Sequence, residues 1–297
     1  MYNIIRNALI LEKKSEVTKA MGKNQKTLQE LNLGDDFLFA KVMSDKDICR
    51  RIIEKVLDIK IKKIKMPQEQ KVIDLLLDSK SVRLDVYVND EKGTVYNVEM
   101  QRGKNINLAK RSRYYQGNID LDKISKGDDY LTLNKSYVIF ICTFDPFGKG
   151  RHRYTFRNLC VEDNSIELKD ETDKVFLNTS GILNDVDEEM IEFLQYVEQS
   201  TDEVAQNAKS DLVKAINQKV NHVKHDKAME VQYMTLLERD RLNFEEGVEE
   251  GIEKGKMLMA KKLLVKGMSI DEVVAISELT KEQVEAIYST EVMKEQL

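Results

Sequence analysis

Residues 82–101 read VRLDVYVNDEKGTVYNVEMQ, two alternating arms joined by a short turn, and no other stretch restricts the fold as tightly. In the first arm Val82, Leu84, Val86 and Val88 point one way, while Arg83, Asp85 and Tyr87 point the other. In the second, Tyr96, Val98 and Met100 are apolar, while Asn97, Glu99 and Gln101 are polar. Side chains alternate faces along a strand, so each arm has a core side and a polar side. Glu91-Lys92-Gly93 makes a three-residue hairpin loop with Gly93 in the left-handed position. That loop sets the register. Asp90 opposes Thr94, and counting outward puts Asp85 opposite Glu99.

Directly opposed residues on paired strands lie roughly 4.5–5.5 Å apart at Cβ. Two carboxylates at that spacing repel, and a divalent cation relieves the repulsion. Hard oxygen ligands so placed suit magnesium or manganese. The other reading is a solvated polar face on an ordinary hairpin. The hairpin by itself leaves both open.

The 297 residues are enough for one large domain or two modest ones. The formal charge of -5 argues against a chain coated in basic charge, so any contact with nucleic acid is a local patch. No apolar run approaches the roughly 20 residues of a membrane span. The opening MYNIIRNALILEKK lacks a cleavable signal pattern, and Met21 offers an alternative start ahead of a more regular pattern. Cys49, Cys142 and Cys160 have neither zinc spacing nor a disulfide framework. They are expected to be small buried side chains in a reducing, cytoplasmic setting.

Residues 1–32 form a polar arm. Asp35 or Asp36 then caps a helix carrying Phe37, Leu38, Val42 and Met43, and a second helix starts at Asp45. Pro67 marks a break, residues 71–77 suit a strand around Asp74, and residues 78–80 turn into the hairpin. Residues 108–121 are helical, capped by Asn105 or Asn107. Leu108, Ser112, Tyr115 and Ile119 make one stripe, and Arg111, Tyr114 and Asn118 its neighbour. Residues 137–144 (YVIFICTF) suit a strand buried on both faces. Residues 154–159 and 166–168 suggest a further small β-unit. The expected class is α/β, a mixed sheet with helices on both sides. Only helices follow from Val186 onward. In the tail, Gly247, Gly251 and Gly255 recur every fourth residue, which fits either close approach of another helix or a loose surface helix. Ser269 with Glu272 and Thr280 with Gln283 are capping-box patterns that start two short helices. The pair has a helix-turn-helix look, but its acidic residues favour a packing module over DNA reading.

The acid–acid–glutamine run VRLDVYVNDEKGTVYNVEMQ, the preceding DDFLFAKVM helix, the following RSRYYQ helix and the glycine-repeat tail resemble the PD-(D/E)XK nuclease family transposases, also described as recombination-promoting nucleases. The resemblance covers residues 33–183, with the tail matching in character, and leaves the N-terminal arm unexplained. Together with the order of elements, it suggests an arm (1–32), a nuclease-like core (33–183), a helical extension (184–243) and a helical tail (244–297). It implies a restriction-endonuclease-like core that hydrolyses DNA phosphodiesters with Mg2+ or Mn2+. Asp85 matches the first metal-binding aspartate and Glu99 the second acid on the same metal. Gln101 falls where the wider superfamily has lysine. Glutamine can orient a water but brings no charge, so more of the work falls to the metal.

Around that site, Arg111 and Tyr114 are candidates for holding the scissile phosphate, against a surface ion pair and a packing ring. Asp74 is a further candidate for the acidic cluster, and Arg151-His152-Arg153 a basic turn that can touch DNA. His222 and His225 are too few for a metal site. Two functions stand side by side. One is a metal-dependent DNA endonuclease of recombination or mobile elements. The other is a non-catalytic DNA-binding or assembly protein on the same fold, pairing as a homo-oligomer through its tail. The intact acid pair favours the enzyme.

Overall fold

The computed structural model describes residues 26–66, 72–73, 82–83, 85–103 and 107–292. Pro67, Asp74, Leu84, Asn105 and the 78–80 turn lie outside the described residues. The chain divides into two compact units, Met1–Glu230 and Val231–Leu297.

In the first unit Asp35 holds the cap position of helix α1 (Asp36–Met43), and the Asp45 carboxylate accepts from the Asp47 and Ile48 amides to start α2 (Lys46–Leu57). Six strands form a mixed sheet in the order β1-β4-β5-β6-β8-β7. They are β1 (Ile64–Lys65), β4 (Val86–Asp90), β5 (Val95–Gln101), β6 (Ser136–Cys142), β7 (Arg153–Phe156) and β8 (Thr172–Asn178). β5, β6 and β8 run parallel, and the strands flanking them are antiparallel. Two short strands, β2 (Val72–Ile73) and β3 (Val82–Arg83), pair separately. The first arm of the hairpin is therefore not one continuous strand. It breaks before Val86, and Asp85 sits at a bend.

The turn and register follow the loop chemistry. Gly93 has φ +84°, its amide donates to the Asp90 carbonyl (3.2 Å), and the Asp90 amide donates to the Thr94 carbonyl (3.1 Å). Val86 pairs with Val98 and Tyr87 with Asn97, so Asp85 comes next, opposite Glu99. The polar face is not solvated, however. Asn97 and Glu99 are fully buried because helix α3 (Leu108–Lys123), which links β5 to β6, lies over that face. Its Leu108, Tyr115 and Ile119 pack with Tyr87, Val95, Val138, Phe140 and Cys142 into one core. Gln116 of α3 also donates to the Ser136 hydroxyl of β6 (2.7 Å). β8 was not expected from the sequence, and it completes the parallel set. Residues 154–156 join it at the sheet edge as part of β7. Cys49 and Cys142 are buried, and burial pushes both thiols up to about 12; Cys160 is only half-buried.

Three further helices complete this unit: α4 (Glu188–Glu198), α5 (Asp202–Asn207) and α6 (Asp211–His225). α6 packs against α1, α2, α4 and α5. The Gly34 amide donates to the Val197 carbonyl (3.0 Å), tying the start of α1 to α4. A 39-residue helix, α7 (Lys227–Val265), carries the chain into the second unit. There α8 (Ile270–Ser277) and α9 (Lys281–Ile287) bury Ala260, Leu264, Val273, Leu279 and Val284 together. Both capping boxes form, Ser269 with Glu272 and Thr280 with Gln283. A Cβ built on Gly247, Gly251 or Gly255 would meet nothing within 4 Å among the described residues. Among those residues no helix is long and apolar enough to cross a membrane.

Candidate active site

The β4–β5 ladder stops at Val86, and two backbone amides beyond it need other partners. Side-chain carboxylates supply them. The Asp85 amide donates to Glu99 Oε1 (3.1 Å), and the Met100 amide donates to Asp85 Oδ2 (3.2 Å). This crossed pair draws both acids to the end of β5. Both line one cavity of about 400 Å³ beside Gln101, Arg111 and Tyr115, with Asp36 and Arg102 also on its wall. The cavity opens at the C-terminal end of a parallel strand, where ligands of open α/β sheets gather.

Glu99 is only 2% exposed. Burial, followed by the charge of Asp85, pushes its carboxyl well above the usual range, and Arg111 partly opposes the shift. Arg111 Nη2 lies 3.8 Å from Glu99 Oε2. The same guanidinium donates to Gln101 Oε1 (2.6 Å) and to the Tyr115 hydroxyl (2.8 Å), and it sits against the Tyr115 and Phe140 rings. Burial and the nearby Glu99 push the Tyr115 phenol up, so it stays a neutral hydroxyl at physiological pH. Gln101 Nε2 donates to the Gly103 carbonyl (2.9 Å). Both ends of that amide are thus engaged within the chain, and Gln101 braces Arg111.

Asp85, Glu99, Gln101 and Arg111 come together here, and Tyr114 does not join them. It is 40% exposed and absent from the cavity wall, one residue round the helix from Tyr115. Sequence reading placed Tyr115 in the packing stripe, where it also belongs, and so missed its hydroxyl. It also missed Asp36 and Arg102, which reach the cavity from α1 and from the residue after β5. The Arg102 guanidinium pairs with Asp35, which also takes Lys26 Nζ (3.0 Å) and the Asn32 amide (2.7 Å). That ion-pair cluster fastens the start of α1 to the end of β5.

Among the described residues no three His, Cys, Asp or Glu side chains gather closely enough to cage a metal ion. What is present is a carboxylate pair whose mutual repulsion Arg111 only partly offsets, one member of it deeply buried. This donor set fits Mg2+ or Mn2+, since magnesium commonly takes one or two carboxylates and fills its shell with water and substrate phosphate. It does not fit an all-protein cage.

The family model described as PD-(D/E)XK nuclease family transposase matches residues 34–246. No curated protein and no solved structure matches the chain. The match spans well over half of the 297 residues and contains the whole mixed sheet with its acid pair. The chain belongs to the PD-(D/E)XK nuclease family transposases and has a restriction-endonuclease-like core.

Proposed function

We propose that this protein is a divalent-metal-dependent DNA endonuclease that hydrolyses phosphodiester bonds and serves recombination or mobile-element movement. The observation that carries this reading is the convergence of Asp85 and Glu99 in one cavity beneath Arg111. Asp85 and Glu99 would hold Mg2+ or Mn2+. Such an ion supplies positive charge that polarises the phosphoryl oxygen and acidifies the attacking water.

The chain supplies the rest. Arg111 meets negative charge as it builds on the phosphate oxygens, a contribution that phosphoryl transfer draws mainly from fixed cations. Tyr115 and Gln101 hold that guanidinium from two sides. The positive charge that lysine brings in the wider superfamily thus arrives from the helix, and Gln101 acts as its bracket. This division of labour explains why glutamine at position 101 is compatible with cleavage. Arg102 is tied to Asp35, so its role is to fasten α1.

The test is cleavage of supercoiled plasmid with Mg2+ or Mn2+. Nicked or linear product is expected from the native chain and none from Asp85→Ala or Glu99→Ala. Equal cleavage by both variants excludes the site. Salt-sensitive DNA binding with no cleavage under either metal supports the non-catalytic alternative instead.

A further inference from the structure

The basic turn Arg151-His152-Arg153 is not a solvated DNA-touching loop throughout. Arg153 donates to the Val56 carbonyl (3.3 Å), and His152 is 6% exposed. Both the His152 amide and Nδ1 meet one oxygen of Asp185, at 3.1 and 3.0 Å. The ring lies flat against Gly181, where any Cβ would come within 2.4 Å of His152 Cδ2. The imidazole is locked, and Nε2 has no hydrogen-bond partner among the described residues. His152 lines a second, open cavity of about 300 Å³ together with the exposed Ile182 and Leu183 and with Asn184, Leu194 and Gln195.

This cavity belongs to the same edge of the sheet as the acid pair. The Thr143 amide donates to the Gln101 carbonyl (3.1 Å), and the Thr179 amide donates to the Cys142 carbonyl (3.0 Å). Gln101, Thr143 and Thr179 therefore step along the ends of β5, β6 and β8, and Thr179 lines the His152 cavity. Paired strands lie about 4.8 Å apart, so two steps cover roughly 10 Å. That is about three stacked nucleotide rises, and fewer in an unstacked strand.

We propose that the His152 cavity takes one unstacked base of the DNA strand whose phosphate lies at Asp85 and Glu99. The proposal rests on the nuclease reading and names a subsite of it. A base has flat apolar faces and in-plane donors and acceptors, which suits apolar side chains, two amides and a fixed imidazole. In the neutral ring with Nδ1–H donated to the Asp185 carboxylate, Nε2 accepts and asks for an N–H on the base edge. A metal fits poorly, since the described residues gather no three ligands. An anion fits poorly as well. The second Asp185 oxygen is buried without a hydrogen bond, and Arg151 stands 3.6 Å from it. Arg151 is half-exposed and can meet the adjoining phosphate.

The chain has three histidines, so the imidazole Cε1–H signals in a proton NMR spectrum are few, and His152→Asn identifies the relevant one. The native chain, with Ca2+ supplied in place of Mg2+ as a diamagnetic cation for the carboxylate pair, is titrated with the four homotetranucleotides and with an abasic tetranucleotide. The expected result is a saturable shift of the His152 signal with at least one base and none with the abasic strand. A signal unmoved by all four, or moved equally by the abasic strand, overturns the proposal. The readout needs no turnover, so it is separable from the plasmid assay. Failure to cut plasmid counts against the nuclease, and a still His152 signal counts against the base pocket alone.

Discussion

Replacing Glu99 with glutamine should stabilise the metal-free protein above about pH 5. Glu99 is 2% exposed and sits beside Asp85, so its folded-state proton is held well above the usual carboxylate range. In the unfolded chain the same group titrates near pH 4.3. The folded form therefore binds the extra proton, and stability present below about pH 4.3 drains away as the pH rises towards the folded value. Each pH unit in that window is worth up to ~1.4 kcal/mol. Two units, from pH 5 to 7, come to about 1–3 kcal/mol once coupling to Asp85 is allowed for. A domain of this size then melts several degrees lower at pH 7 than at pH 5. Glu99→Gln keeps an oxygen for the Asp85 amide and removes the titration. Thermal melting in EDTA from pH 5 to 8 should show a falling curve for the native chain and a flatter one for the variant. Saturating Mg2+ should reverse the order, since an ion at 100 times its Kd adds about 2.7 kcal/mol to the form that binds it. Parallel pH curves for the two proteins in EDTA would refute the buried carboxylate that holds its proton.

Arg111→Gln should lower plasmid cleavage about 100-fold, and Gln101→Lys added to it should restore part of the loss by returning a cation to the same spot; undiminished cleavage in Arg111→Gln removes the arginine from the mechanism. Tyr115→Phe should cut the rate about tenfold by loosening Arg111, while Tyr114→Phe stays within about twofold; the opposite ranking in the same assay restores Tyr114 as the phosphate contact. Gly93→Ala should cost about 1–2 kcal/mol in thermal melts, because φ is +84° and the new Cβ would lie 3.0 Å from Asn134. An unchanged melting temperature contradicts the left-handed turn.

The hairpin register was readable because it depends only on local chemistry. Alternation names the faces, and a three-residue loop with glycine last fixes which residues oppose. The break before Val86 was hidden, since Val82 to Val88 keeps its alternation through it. β8 escaped because TDKVFLN carries Asp173 and Lys174 in its first half, and its pairing with β6 is a long-range event. The hairpin alone left open whether the polar face of β5 is solvated, because burial there depends on where α3 lands. The same helix decides between Tyr114 and Tyr115, which differ by one residue yet point about 100° apart. His152 read as part of a charged turn because its partner, Asp185, lies 33 residues away. The Asp36 and Arg102 contributions likewise come from distant segments meeting at the end of β5.

The shared cation is tested most directly by anomalous diffraction from crystals soaked in Mn2+. One peak touching carboxylate oxygens of both Asp85 and Glu99, and lost in Glu99→Gln, is the expected result. A peak that touches only one of the two acids, or no peak in that cavity, contradicts the account.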